Sequence, residues 1–150
     1  MGTRSTYRVI EQYTDSVTEK VHKQNLVLVY LQYDGYPDGH PLNTAEWLAK
    51  GKLVNGFGNV GEDEVVFNGA GCLAAQLVER YKDGTGGTYI HPLSHRGNCG
   101  EDYTYDIIVK DRKTIEIIAY DVVWRGKQKF KKLFAGSPEE YVERYSKETA

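Results

Sequence analysis

The stretch LVLVYLQYDGYPDGH, residues 26–40, decides how this chain folds. Residues 26–33 are strand formers and mostly apolar on both faces, which predicts a central strand that is covered on each side. Turn formers follow, because Asp-Gly and Pro-Asp-Gly sequences favour tight turns. These turn residues also carry aromatic, carboxylate and imidazole groups, which often form small-molecule sites when they stand on a rigid strand end. We therefore expect residues 32–40 to form the rim of a ligand site.

The composition indicates the class of protein. With 150 residues the chain fits one domain, residues 1–150, that can bury a sizeable core. Its net charge of -2 provides no general attraction to nucleic acid or to anionic membranes. No apolar run approaches the ~20 residues of a membrane span, and no signal peptide is visible. Two cysteines, Cys72 and Cys99, make no disulfide framework, so we expect a cytoplasmic protein.

A first strand is predicted upstream of this stretch, over residues 3–11. Residues 13–24 either connect the two strands or extend both of them. If the strands pair antiparallel with Glu11 beside Leu26, Arg4 falls next to Tyr33 and Asp34. A guanidinium group would then join the rim.

The second half of the chain predicts an antiparallel meander. Residues 103–109 and 115–119 alternate apolar and polar positions, which predicts a hairpin with Val109 opposite Ile115. A further strand is predicted over residues 129–134, and a short one over residues 88–92.

Capping signals and apolar periodicity predict three helices. Asn43 and Glu46 have the spacing of a capping box that starts a short helix. Asn68 is placed to cap a longer amphipathic helix that ends near Gly84. Ser137 precedes a proline and two acids, as at the start of a third helix. The expected fold class is α+β, a single domain with a mainly antiparallel sheet and about three helices packed on it.

The segment HPLSHRGNC, residues 91–99, is the best candidate for metal chemistry, but its spacing matches no helical zinc motif. Pro92 indicates a loop. We therefore predict no metal and no cofactor there. His91, His95 and Arg96 are instead natural donors to a phosphate or a carboxylate. Cys99 near His95 would allow a Cys-His nucleophile, although nothing in the sequence supplies an oxyanion hole.

Two further patterns have a simple structural interpretation. GFGNVG, residues 56–61, matches a dinucleotide fingerprint, but the acids that follow it would repel a pyrophosphate. Basic residues recur at every second position in the last strand region, which is typical of edge protection, with attraction of an anionic ligand as the alternative. Few aromatic residues stand between them, which argues against a nucleic-acid platform. These basic residues are Arg125, Lys127, Lys129 and Lys131.

The chain resembles a group of small proteins from bacteriophages and prophages. The resemblance lies in the opening MGTR (residues 1–4), in QYDGYP (residues 32–37) and in FAGSPEEY (residues 134–141). This chain departs from the group by carrying Tyr33 where tryptophan is expected and Asp38 where serine is common. The resemblance implies a phage or mobile-element setting in a host cytoplasm, and it implies no activity.

Three hypotheses of function follow. The one we favour is a non-enzymatic accessory protein that binds a small anionic or nucleotide-like ligand and sequesters a nucleotide-derived immune signal. The second is a hydrolase of phosphodiesters or amides that uses Asp34 or His40 with His91, His95 and Cys99. The third is a module that docks on a host protein. The sequence does not determine the oligomeric state, and a homo-oligomer is possible. The predicted ligand-binding residues are Arg4, Gln32, Tyr33, Asp34, Tyr36, His40, His91, His95 and Arg96.

Overall fold

A computed structural model describes residues 2–56, 64–123 and 129–148 of the chain. Within these residues the predicted α+β class is confirmed, with three helices and a six-stranded, mostly antiparallel sheet. The strands are β1 (Ser5–Thr14), β2 (Val21–Leu31), β3 (Lys52–Leu53), β4 (Val66–Phe67), β5 (Thr88–His91), β6 (Tyr103–Lys110), β7 (Thr114–Val122) and β8 (Phe130–Gly136). The helices are α1 (His40–Lys50), α2 (Gly69–Tyr81) and α3 (Pro138–Glu148), and a 3-10 turn covers Leu93–His95.

The first strand lies inside the large sheet, whose strand order is β5-β2-β1-β6-β7-β8. β1 pairs antiparallel with β2 on one side and parallel with β6 on the other. A parallel pair needs a long crossover. The connection from β2 to β6 supplies it and contains α1 and α2.

The two faces of the sheet are covered differently. Tyr7, Val9, Tyr105 and Ile107 point to one face and are buried in a single core with residues of the three helices. Side chains at the alternating positions point to the opposite face, because successive residues of a strand alternate in direction. There Thr6 contacts Glu101, so residues 92–102 lie across that face as a loop. We call residues 92–102 the cover segment.

Several predictions from local patterns are confirmed. In the β6–β7 hairpin Val109 stands opposite Ile115, as the alternation predicts. At the start of α3 the backbone N–H of Glu140 donates to the Ser137 hydroxyl at 3.1 Å, and Glu140 accepts from the Ser137 N–H at 2.9 Å. This reciprocal pair is a capping box.

The pairing of β1 with β2 differs from the expected register. Glu11 pairs with Gln24 rather than with Leu26, and an irregularity at Val9/Ile10 shifts the pairing by one residue. Ser5 then stands opposite Leu31. Residues 13–24 extend both strands into a long ribbon instead of forming only a loop.

Two helix boundaries also differ from the expectation. α1 begins at His40 with proline in its first turn, so the capping box expected at Asn43 lies inside the helix. α2 ends at Tyr81 because Lys82 is already extended, with φ -79° and ψ 115°. The glycine-rich pattern at residues 57–61 lies outside the described residues, as do Arg125 and Lys127 of the basic pattern.

Candidate functional site

Residues 32–40, which we call the rim loop, are held by backbone bonds and by tyrosine hydroxyls. The N–H of Gly35 donates to the carbonyl of Thr3 at 3.0 Å, and the N–H of His40 donates to the carbonyl of Asp34 at 3.0 Å. The Tyr105 hydroxyl donates to the Gly35 carbonyl at 2.7 Å. The hydroxyl of a second buried tyrosine, Tyr141, donates to the Pro37 carbonyl at 2.7 Å. The core therefore fixes the shape of the rim loop.

Asp34 has a constrained backbone within this loop. Its φ of +58° lies in the left-handed region, which costs a non-glycine residue on the order of 1 kcal/mol. A Cβ atom at Gly39 would lie 2.3 Å from the Asp34 carbonyl oxygen, so only glycine allows the loop to close here. Such conformations persist where the surrounding structure enforces them, and they concentrate at functional sites.

His40 joins the rim loop to a buried hydroxyl network. Its Nδ1 lies 2.7 Å from the Tyr7 hydroxyl and its Nε2 lies 3.2 Å from the Ser5 hydroxyl. The Tyr7 hydroxyl also contacts Thr44 at 3.0 Å, and the Tyr81 hydroxyl donates to the His40 carbonyl at 3.1 Å. Burial lowers the pKa of His40 to about 4, so the imidazole is neutral at pH 7.

A cavity of about 270 Å³ opens between the rim loop and the chain that leads from α2 into β5. Two carboxylates, Asp34 and Asp83, lie at this cavity together with the exposed ring of Tyr33. No lysine or arginine occurs among its described lining residues. We call it the rim cavity, and its lining consists of Leu31, Gln32, Tyr33, Asp34, His40, Tyr81, Asp83, Gly86, Gly87 and Thr88.

Four of the nine predicted site residues meet at the rim cavity: Gln32, Tyr33, Asp34 and His40. Tyr36 belongs to the rim loop, but it packs beside Gly39 and does not line the cavity. Tyr81, Asp83 and Thr88 were missed by the sequence analysis. The only signal near them is the cluster of glycines at residues 84–87, which predicts a turn without indicating what the turn approaches.

The remaining four predicted residues are Arg4, His91, His95 and Arg96, and the structure does not bring them to the rim cavity. Arg4 lies against Gly100 of the cover segment, and its backbone N–H donates to Asp102 at 3.2 Å. Among the described residues it forms no ion pair with Asp34. The register explains this placement, because a shift of one residue in a strand turns its side chains to the other face.

The cover segment is fixed by a buried carboxylate that the sequence analysis did not select. Glu101 accepts from the Thr6 hydroxyl at 3.0 Å, from the Gly97 N–H at 3.0 Å and from the Cys99 N–H at 3.2 Å. Its burial acts to raise its pKa, but the donors outweigh burial and hold the pKa below the usual value.

Cys99 does not have the properties of a nucleophile. Its thiol donates to Glu101 at 3.0 Å. Burial, with the neighbouring Glu101 carboxylate, raises the pKa of the thiol to about 12, and the reactive form of cysteine is the thiolate. The residues of the hydrolase hypothesis are also divided, since His40 packs with Tyr7 in the helix-covered core while Cys99 belongs to the cover segment.

Two larger grooves lie at the other end of β1. One, of about 660 Å³, runs between Tyr13 and the turn at Arg112, and the other, of about 360 Å³, reaches the start of α2. They are larger than the rim cavity. The rim cavity is the stronger candidate because a pinned loop and several predicted residues form it, whereas the larger groove lies between the end of β1 and the turn at residues 111–113.

Comparisons with known proteins supply no relative. A scan against protein-family models and searches of curated proteins and of solved structures find no match to this chain. No helix in the described ranges is long and apolar enough to cross a membrane. Those ranges also contain no group of three or more His, Cys, Asp or Glu side chains that could hold a metal ion. The geometry of the site therefore carries the functional argument.

Proposed function

We propose that this protein binds a small molecule rich in hydrogen-bond donors in the rim cavity and does not transform it. The observation that supports this most directly is that two carboxylates and an exposed tyrosine ring line one cavity, and that the core holds the loop which carries Asp34 and Tyr33. Sites that are organised before binding lose less entropy when the ligand arrives. A rigid loop is therefore a better platform for a ligand than a mobile one.

The chemistry of the lining selects the ligand. Ionised carboxylates only accept hydrogen bonds, so Asp34 and Asp83 favour amino groups, hydroxyl groups or a positive charge. The ring of Tyr33, 62% exposed, offers a surface for an aromatic ring or a cation. A nucleoside satisfies both requirements, with its base on Tyr33 and its sugar hydroxyls on the carboxylates.

The two carboxylates also disfavour a phosphate group inside the rim cavity. Two carboxylates repel a phosphate, and the ammonium group of Lys82, beside the cavity, already donates to the carbonyls of Gly86 and Thr88. The ligand is therefore held by its nucleoside portion, with any phosphate directed to solvent. A phage accessory protein in a host cytoplasm that sequesters a nucleotide-derived signal would work in this way.

The state of His40 supports binding without turnover. A general base works best when its pKa lies near the working pH, and that of His40 is about 4. Both ring nitrogens also face hydroxyl groups of the core.

The experiment measures the melting temperature of the purified protein with adenosine, guanosine, their 5′-monophosphates and the polyamine spermidine. A ligand at about 100 times its Kd stabilises the folded state by about 2.7 kcal/mol, so a saturable rise of the melting temperature is expected with at least one nucleoside. Each nucleoside is expected to act at a lower concentration than its monophosphate. If only spermidine raises the melting temperature, the rim cavity is still a binding site, but its ligand is an aliphatic cation and not a nucleoside.

Matched variants locate the binding. Asp34→Asn and Asp83→Asn each remove one carboxylate, and asparagine tolerates the left-handed backbone at position 34. Both are expected to weaken nucleoside binding at least tenfold, whereas Asp38→Asn, on the same loop but outside the cavity lining, leaves it unchanged. No response to any ligand, or an equal response in all three variants, would contradict the proposal. Chemical change of the bound nucleoside would contradict the absence of catalysis.

A further inference from the structure

Two guanidinium groups share one carboxylate on the face of the sheet opposite the helices. Nε and Nη2 of Arg8 donate to the two oxygens of Asp106 at 2.9 and 2.7 Å. Nη2 of Arg96 lies 3.6 Å from the Asp106 oxygen that already accepts from Nη2 of Arg8. The side chain of Asp106 is only 3% exposed. Arg8 and Arg96 therefore share Asp106 at a largely buried place, and the carboxylate of Glu101 is a second negative charge near Arg96.

Arg96 is the member of this group that lacks acceptors. Its side chain is 13% exposed, and its buried Nε has no hydrogen-bond partner. The guanidinium carbon lies 4.3 Å from the ring centre of Phe130 and 5.1 Å from that of Tyr120. Aromatic rings contact the faces of a guanidinium group, whereas its N–H donors point outward in its plane. A buried donor without an acceptor costs about 1–3 kcal/mol. Because Nε is buried, an acceptor from solution would reach the terminal nitrogens of the same guanidinium group.

The neighbouring acids do not fill this role. Glu101 is close enough to act on the charge of Arg96, but its oxygens accept from Thr6, Gly97 and Cys99. Asp106 is engaged with Nε and Nη2 of Arg8. Arg8 is 23% exposed, and its Nη1 is not used in that pair. Donors of both arginines thus remain at the boundary with solvent.

We propose that Arg8 and Arg96 bind a small oxyanion of the phosphate or sulfate class at the solvent edge of this pair. Planar guanidinium forks recognise tetrahedral oxyanions through parallel N–H···O bonds, and two forks sharing one carboxylate keep donors for a second acceptor. This site goes beyond the proposed function, because it lies on the face of the sheet away from the rim cavity and would hold a ligand of opposite charge.

The first test follows arginine side chains of the ¹⁵N-labelled full-length protein during titration with inorganic phosphate. The Nε–H signal of Arg96 is expected to shift saturably, and that of Arg8 to shift with it. Arg80 is the internal control, because its guanidinium also stacks on a ring, at 5.1 Å from the ring centre of Trp47. An unmoved Arg96 signal, or an equal and unsaturable drift of Arg80 and Arg96, would overturn the proposal.

A second test uses stability and does not depend on assigned spectra. Phosphate and sulfate also stabilise proteins by exclusion from their surfaces, so each is compared with chloride at equal ionic strength and between variants. The wild type and Arg80→Gln are expected to gain several degrees of melting temperature beyond chloride with either oxyanion. Arg96→Gln is expected to lose that extra gain. An equal gain in all three proteins would indicate exclusion alone and would overturn the proposal.

A third variant keeps the proposal testable if Arg96→Gln does not fold. Arg96→Lys keeps the charge and removes the planar fork. Its extra gain is then expected to fall to less than half of the wild-type value, and an undiminished gain would count against recognition by the fork.

Discussion

The hydroxyl groups of buried tyrosines connect the core of this protein to its candidate site. Tyrosine brings a large apolar ring with a polar tip, and a buried tip needs a partner. Tyr105 and Tyr141 place their rings in the core and their hydroxyls on carbonyls of the rim loop. The high tyrosine content of the sequence, 12 residues, thus has a structural role that composition alone does not reveal.

Removal of one such hydroxyl tests this role. Tyr105→Phe keeps the ring but leaves the buried Gly35 carbonyl without its donor, so we expect a loss of about 1–3 kcal/mol in the free energy of unfolding. Urea unfolding measures it. Tyr36→Phe is the matched control, because Tyr36 is 40% exposed, and its effect is expected to be close to zero. Equal effects of the two substitutions would refute the anchoring role.

His40 makes the stability depend on pH in a defined direction. Its pKa is about 4 in the folded protein, against an ordinary value of 6.5, because of burial. The unfolded chain therefore takes up a proton below pH 6.5 while the folded protein does not. The contribution of His40 is complete above pH 6.5 and falls as the pH drops from 6.5 to 4, by an amount on the order of 3 kcal/mol.

Urea unfolding of the wild type and of His40→Gln across this range isolates the effect. The variant is expected to show a smaller loss of stability between pH 6.5 and pH 4, because its side chain does not titrate. Parallel pH profiles, or an imidazole NMR titration midpoint near 6.5, would show that His40 is not held neutral.

At the scale of elements, the cover segment depends on the single carboxylate of Glu101. Three donors from the segment itself converge on this side chain: the N–H of Gly97, the N–H of Cys99 and the thiol of Cys99. The Thr6 hydroxyl joins them from β1 and ties the segment to the sheet. A loop with little regular structure thereby acquires a fixed position above Asp106 and Arg8.

Glu101→Gln tests this dependence. An amide offers one acceptor oxygen and introduces an NH₂ group that faces other donors, so the segment is expected to open more often. The pKa of Cys99, raised to about 12 by burial and by Glu101, is expected to fall, and its reaction with a thiol reagent at pH 8 to accelerate at least tenfold. The reference protein and the Glu101→Gln variant both carry Cys72→Ser, so that Cys99 is the only cysteine that can react with the reagent. An unchanged rate would contradict the anchoring role of Glu101.

Local elements could be predicted from the sequence because their signals are local. The β6–β7 register and the capping box of α3 each depend on residues within one hairpin or one helix turn. The β1–β2 register was wrong by two residues at Glu11 and by one residue at Ser5, and the irregularity at Val9/Ile10 that makes this difference leaves no clear pattern in the sequence. With Ser5 opposite Leu31, Arg4 does not stand beside Tyr33 as expected, and it lies against Gly100 instead.

At the scale of the whole molecule, the strand order decides which functional groups meet. Arg8 and Asp106 become neighbours only because β1 pairs with β6, 98 residues further along the chain. Asp83 and Asp34 line the same cavity because α2 leads into the edge strand beside β2. No local pattern carries this information. The sequence analysis therefore identified the cavity residues of the rim loop and missed those between α2 and β5.

The difference between central and edge strands predicts where the sheet tolerates change. Ile107 is 1% exposed in the middle of the sheet, so Ile107→Ala is expected to cost about 2–5 kcal/mol of unfolding free energy. Ile90 on the edge strand β5 is 58% exposed, and Ile90→Ala is expected to cost less than about 0.5 kcal/mol. Urea unfolding compares them. Similar costs would indicate that β5 is buried in the native state, for instance against another chain.

The interior position of β1 has a consequence for biosynthesis. Its parallel partner begins 98 residues later, and ribosomes add about 5–20 residues per second. The opening strand therefore waits on the order of 5–20 seconds after leaving the exit tunnel before its second neighbour exists. Throughout translation of that interval, the edge of β1 that later pairs with β6 has no partner strand.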